Sequence, residues 1–158
     1  MIDDTGQKLQ VEAVFIDAPR DPDLCALRDY WDSLRRGRIM PSRADFDPTK
    51  VPKLLAHIIL YNVDGPSQYS IRLVGDAVQS FLGQNTTGKP AGSVMNERSA
   101  AMMTKIFDTI VTERAPKFRT GRTYWFEEKN HRSYEVCFLP LSPDEMHVNM
   151  ILAAVKFF

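Results

Sequence analysis

Residues 57–75 read HIILYNVDGPSQYSIRLVG. His57 to Val63 is a short apolar run rich in β-formers, and Asp64-Gly65-Pro66 breaks it. Beyond the break, Tyr69, Ile71 and Leu73 alternate with Ser70 and Arg72, the period of a half-buried strand. Two such runs across a turn predict an antiparallel hairpin. After Gly75 a short helix is expected, with Val78, Phe81 and Leu82 on one side and Gly83 as its stop. Asn96 is the N-cap of the longest predicted helix, about residues 97–114, in which Met102/Met103, Ile106/Phe107 and Ile110/Val111 recur every four residues. Ala115-Pro116 ends it. Three β-like segments follow: Phe118 to Phe126, Arg132 to Leu141 and His147 to Phe157. Glu127 to His131 forms the loop of a hairpin, and Ser142-Pro143-Asp144-Glu145 suits a type I turn.

Upstream of the hairpin, Asp21-Pro22 reads as N-cap followed by proline at the first helical position. Leu24, Leu27, Trp31 and Leu34 then fall on one helical face, and Arg35, Arg36 and Arg38 flank Gly37 at its end. Asp47-Pro48 repeats the cap signal before a helical turn through Leu54-Leu55. Residues 1–20 read as an arm, whose one apolar cluster, Val14-Phe15-Ile16, is either a short arm or a strand. Residues 21–158 read as a single domain that includes the first helix, 22–36. The order predicts an α+β fold, a five-stranded antiparallel sheet with helices on one face and an extra N-terminal helix. That helix packs on the other sheet face or against a second chain. The latter makes Leu24, Leu27, Trp31 and Leu34 a homodimer interface.

Composition narrows function by exclusion. The chain has 158 residues, with 20 Lys+Arg against 20 Asp+Glu. That balance lacks the basic excess that binding nucleic acid by bulk charge requires. Hydrophobic content of 44% and charged content of 25% are globular averages. The acidic start, Met1-Ile2-Asp3-Asp4, is not that of a signal peptide. The most apolar run, Met150 to Val155, is far short of the ~18 residues of a membrane span. A soluble cytoplasmic protein is expected. Cys25 and Cys137 form no CxxC, which suits a reducing compartment and free thiols.

The order of elements resembles the PAS superfamily, and within it a short PAS family known mainly from alphaproteobacteria. The resemblance is carried by Trp31, Arg36-Gly37-Arg38, Pro41-Ser42-Arg43, Asp45-Phe46-Asp47-Pro48, Pro52, Leu54-Leu55, Ile71-Arg72-Leu73-Val74-Gly75 and Thr87-Gly88. These span about residues 24–90, and the remainder matches by pattern. It implies a stand-alone sensory or interaction module that borrows its effector protein, and no particular ligand. Haem domains of the superfamily place an axial histidine on or near the long helix, and Asn96 to Arg114 holds none. Nothing between Asp76 and Met95 resembles the reactive-cysteine motif of the flavin light sensors. No cofactor is therefore expected.

Site residues have two readings each. The Met102–Val111 stripe is either plain core or one wall of a ligand pocket, since methionine adapts to varied ligands. The pocket reading names Ile59, Tyr61, Ile71, Leu73, Phe81, Met102, Met103, Ile106, Ile110, Tyr124, Val136 and Phe138, with Arg122 or Trp125 as nearby polar groups. It would take a small apolar or aromatic molecule. The arginines 35, 36, 38 and 43 either bind an anion or cap the helix and pair with Asp29, Asp32, Asp45 and Asp47. His57, His131 and His147 have no metal-ligand spacing, and no phosphate-cradling glycine motif occurs. An alternative is a pocket enzyme of cystatin-like type, for which Glu135 and Asp76 are the only acid–base candidates. A protein-interaction domain with a filled core is a third reading.

Overall fold

A computed structural model describes residues 13–122 and 132–158. The first helix, α1 (Pro22–Arg35), starts as its sequence dictates. Asp21 accepts hydrogen bonds from the amides of Asp23 and Leu24, and Pro22 opens the helix. The stop is one residue earlier than Gly37: Arg36 takes the left-handed cap conformation at φ 52°. Three short 3-10 turns follow, Arg43–Asp45, Pro48–Lys50 and Pro52–His57. The hairpin is β2 (Ile58–Gly65) with β3 (Gln68–Val74), then α2 (Asp76–Leu82), closed by Gly83 at φ 73°. The long helix α3 (Glu97–Glu113) is capped by Asn96, whose side chain accepts from the Ser99 amide. Strands β4 (Lys117–Arg122), β5 (Ser133–Leu141) and β6 (Met150–Phe157) complete the domain.

The arm expected over residues 1–20 contributes a strand of its own, β1 (Ala13–Ile16), so the sheet has six strands rather than five. Their order is β1-β4-β5-β6-β2-β3, and every pairing is antiparallel. The helices α2 and α3 lie on the inner face, and α1 covers the outer one. The aromatic heart of the inner layer is Phe107, fully buried, with the rings of Tyr61, Tyr69 and Phe138 around it at 4.8, 5.1 and 5.4 Å.

The outer face settles the place of α1. Leu24, Leu27, Trp31 and Leu34 are buried within their own chain against the sheet. The Trp31 indole N–H donates to the Pro140 carbonyl at 2.9 Å. A homodimer through these four side chains is thereby corrected: the sheet face they cover is their own. The start of the helix is pinned by Glu135, which accepts from the amides of Arg20 and Asp21 at 3.0 and 2.8 Å. Lys156, opposite Glu135 on β6, pairs with Asp23 at 3.0 Å.

A bulge changes the phase of β3. Leu60 pairs with Leu73 but Tyr61 pairs with Ile71, so Arg72 is an extra residue. Val74, not Leu73, therefore joins Ile71 on the inner face, and Leu73 is 49% exposed. Gly75 comes next at a point of close approach. A Cβ there would stand 2.5 Å from the backbone carbonyl of Ala56.

Three arginines of the cluster, Arg35, Arg38 and Arg43, make contacts within the fold. Arg38 caps the end of α1 through the Leu34 and Arg35 carbonyls and pairs with Asp45 at 2.7 Å. Arg35 pairs with Asp32, and Arg43 donates to the Phe46 carbonyl. Asp45 also closes a capping box with Ser42. The Ser42 amide, followed by the Arg38 guanidinium, lowers its carboxyl pKa to about 2.

Two variants test this frame. Gly75→Ala should lose about 1–3 kcal/mol in urea denaturation, because the new methyl meets backbone that must move. Asp45→Asn should lose about 1–2 kcal/mol at pH 7, with the cap and the charged hydrogen bond weakened together. The folded Asp45 carboxyl lies below its unfolded value of about 3.9, so its stabilisation is complete above that pH and fades as pH falls toward 2. The difference between the two proteins should shrink over that interval. A gap unchanged down to pH 2 would disprove the role of the carboxylate.

Candidate functional site

Between the inner sheet face and α2, α3 and the segment joining them lies a cavity of about 90 Å³. The strands supply Ile59, Tyr61, Ile71, Val136 and Phe138, and α3 supplies Met102, Met103 and Ile106. These are residues the pocket reading named. Ile110 is not among the lining residues: it is fully buried one turn further along α3, where close packing replaces the void. The stripe is thus core at its C-terminal end and cavity wall at its N-terminal end. Phe81 stands behind the wall, stacked on the lining ring of Phe157 at 4.1 Å. Leu73 is turned away by the bulge, and Tyr124 and Trp125 lie outside the described residues.

Several lining residues escaped the sequence reading. Val78 and Leu82 sit one turn apart on α2 and follow from its apolar side. Tyr134, Val155 and Phe157 follow once the register of β5 and β6 is known. Thr86 and Arg119 have no sequence signal. Strand alternation puts Arg119 beside Val136 on the inner face, whereas Arg122 pairs with Ser133 in the opposite phase. Arg119 therefore replaces Arg122 as the cationic wall residue.

The chemistry of this wall is sparse. Among the described residues it holds no carboxylate, histidine or cysteine. Burial pushes the Tyr61 hydroxyl far above its ordinary pKa, so it stays protonated. Glu135 and Asp76, the acid–base candidates, are elsewhere: Glu135 binds the start of α1 on the outer face, and Asp76 is an exposed residue of the first turn of α2. Cys137 shares the outer phase of β5, fully buried, and that burial raises its thiol pKa. Among the described residues no cluster of three potential metal ligands occurs. Two polar atoms at the cavity are buried without a hydrogen-bond partner, the Thr86 hydroxyl and the Arg119 Nε. A larger surface cleft of about 570 Å³ beside α1 is open to solvent, and its walls pair among themselves, Arg28 with Asp29 and Arg35 with Asp32.

This arrangement, a curved antiparallel sheet closed by helices over an apolar cavity, agrees with what comparison finds. A PAS domain family matches residues 20–156. The chain belongs to the PAS domain family. Solved structures share the fold at low identity. The PAS domain of Bordetella pertussis BvgS has a TM-score of 0.54 and 17% identity, covering 67% of this chain and 79% of its own. A PAS domain of the fruit-fly ELK potassium channel gives 0.53 and 13%, covering 74% and 98%. A LOV protein of Rhodobacter sphaeroides gives 0.52 and 10%, covering 72% and 69%. No curated protein matches. PAS domains are sensory signalling modules, and this chain is one of them. Among its described residues no helix is long and apolar enough to cross a membrane.

The unpaired hydroxyl gives a direct test of this PAS cavity. Thr86→Val keeps the shape and removes a buried polar group with no partner, so the ligand-free protein should gain about 1 kcal/mol. Urea denaturation measures it, and a loss of stability of that size would show that the hydroxyl is satisfied.

Proposed function

We propose that this PAS domain senses a small, mostly apolar or aromatic molecule held in the inner cavity, and passes its presence to an effector protein by contact. The observation that carries this reading is a void with an apolar wall in an otherwise close-packed domain, flanked by adaptable methionines. An empty apolar cavity of this size lowers stability by about 2 kcal/mol at 24 cal/mol per Å³. A ligand that fills it recovers that loss.

Strand β5 is the proposed route outward. Tyr134, Val136 and Phe138 face the cavity, while Glu135, Cys137 and Leu139 between them face α1. A ligand that displaces β5 shifts the carboxylate on which the start of α1 depends. For that to signal, the ligand must bind one placement of β5 better than the other. The absence of acid–base groups from the described wall favours sensing over catalysis, so we place the domain among non-enzymes.

Thermal melting of the full chain against small aromatic and aliphatic compounds tests the proposal. A compound at 100 times its Kd stabilises by about 2.7 kcal/mol, which raises Tm by several degrees in a domain of this size. Ala153→Leu, which builds into the cavity from β6, should abolish the shift. The reading fails if no compound moves Tm, or if the shift persists in Ala153→Leu.

A further inference from the structure

We propose that the cavity recognises a small organic acid, with an apolar body in the void and a carboxylate on Arg119. This rests on the sensory reading above and names the class of ligand.

Arg119 differs from the other paired cations of the domain. Arg28, Arg35, Arg38 and Lys156 each meet an aspartate at 2.7–3.0 Å. Arg119 has no hydrogen bond or ion pair among the described residues, and its Nε is buried. Arg119 as a whole is half-buried, but its Nε–H is a buried donor that stays costly until an acceptor meets it. Among the described residues the cavity wall offers no carboxylate: the neighbours of Arg119 on the inner face are Val136 and, on β1, Phe15.

The Phe15 ring lies 5.1 Å from the guanidinium carbon. That is within cation–π range. Its N–H donors lie in the guanidinium plane, in the fork that matches a carboxylate. That fork meets both oxygens of a carboxylate at once.

The approach is also cationic. A groove of about 170 Å³ adjoins the cavity, sharing Met102 and Ile106 with it, and Phe15, Lys105 and Lys117 line its remaining sides with Thr109. Glu113 answers Lys117 at 2.8 Å, which leaves Lys105 and Arg119 in excess. Such a mouth concentrates anions. Met102 stands between groove and cavity and is 45% exposed, so its movement admits a ligand. The void of about 90 Å³ limits the size. An apolar cavity of about 150 Å³ holds benzene, so the body is a short alkyl chain, or one ring after the methionines shift.

Matched pairs test the charge apart from the body. Benzoate with toluene, and pentanoate with 1-pentanol, are titrated into the full chain by calorimetry or protein-observed NMR. In the unaltered protein each acid should bind at least ten-fold tighter than its neutral partner. Arg119→Met should lose at least ten-fold for the acids and stay within two-fold for toluene, whose binding shows that the variant is folded. Arg119→Lys should fall between. If the neutral partners bind as well as the acids, or if Arg119→Met keeps acid affinity, the acid inference is overturned and the apolar cavity stands. Acid binding that survives Ala153→Leu also overturns it, since the site is then elsewhere. If no member of either pair binds, the sensory reading fails with it.

Discussion

Strand β5 is buried on both faces, and the rest of the domain is arranged around that constraint. Every residue from Tyr134 to Leu141 is buried. An antiparallel sheet can leave one face in water, but this one cannot, because Cys137, Leu139 and Leu152 make the outer face as apolar as the inner. A cover is required there, and α1 supplies it. Its placement then demands polar anchors at the edges: the Trp31 N–H on Pro140, and Glu135 on the two amides that precede the helix. Those part-buried amides precede the helix, and the carboxylate fixes where it begins. Glu135 is therefore structural for a reason of position. It lies in the outward phase of a strand whose outward side is not solvent.

The inner face is covered less completely. Helix α3 packs tightly where Phe107 and Ile110 meet the sheet, and loosely where Met102, Met103 and Ile106 do. The difference follows from the partners available. Phe107 meets three aromatic rings, whereas the methionines share the cavity lining with small side chains such as Ala153 and Ala91. Small side chains opposite flexible ones leave a void without straining either wall. That space is what the proposed ligand would fill, changing the packing of both walls directly.

Much of this could be read in the residues. Caps at Asp21 and Asn96, the apolar steps of α1 and α3, and the Asp64-Gly65-Pro66 break were explicit, because helix signals and turn chemistry are local. Non-local features were not. The bulge at Arg72 reverses the phase of Leu73 and Val74, and alternation alone cannot show an inserted residue. The destination of α1 was open, since an apolar helical face looks the same whether a second chain or its own sheet covers it. Arg119 was missed for a related reason. A charged residue in a strand suggests the solvated face until its neighbours across the sheet are known.

The sixth strand connects these points. Without β1, Arg119 would lie at an open sheet edge, where water and salt neutralise a cation cheaply. Phe15 brings its ring to 5.1 Å from the guanidinium carbon and remains 54% exposed itself. Arg119 is left half-buried, with its Nε withdrawn from solvent at the cavity. The proposed acid would meet it there, from the cavity side. The balanced charge of the sequence, 20 against 20, hides this because it is a sum. Around α1 the opposite charges stand in contact, and beside the cavity Arg119 has no anion among the described residues.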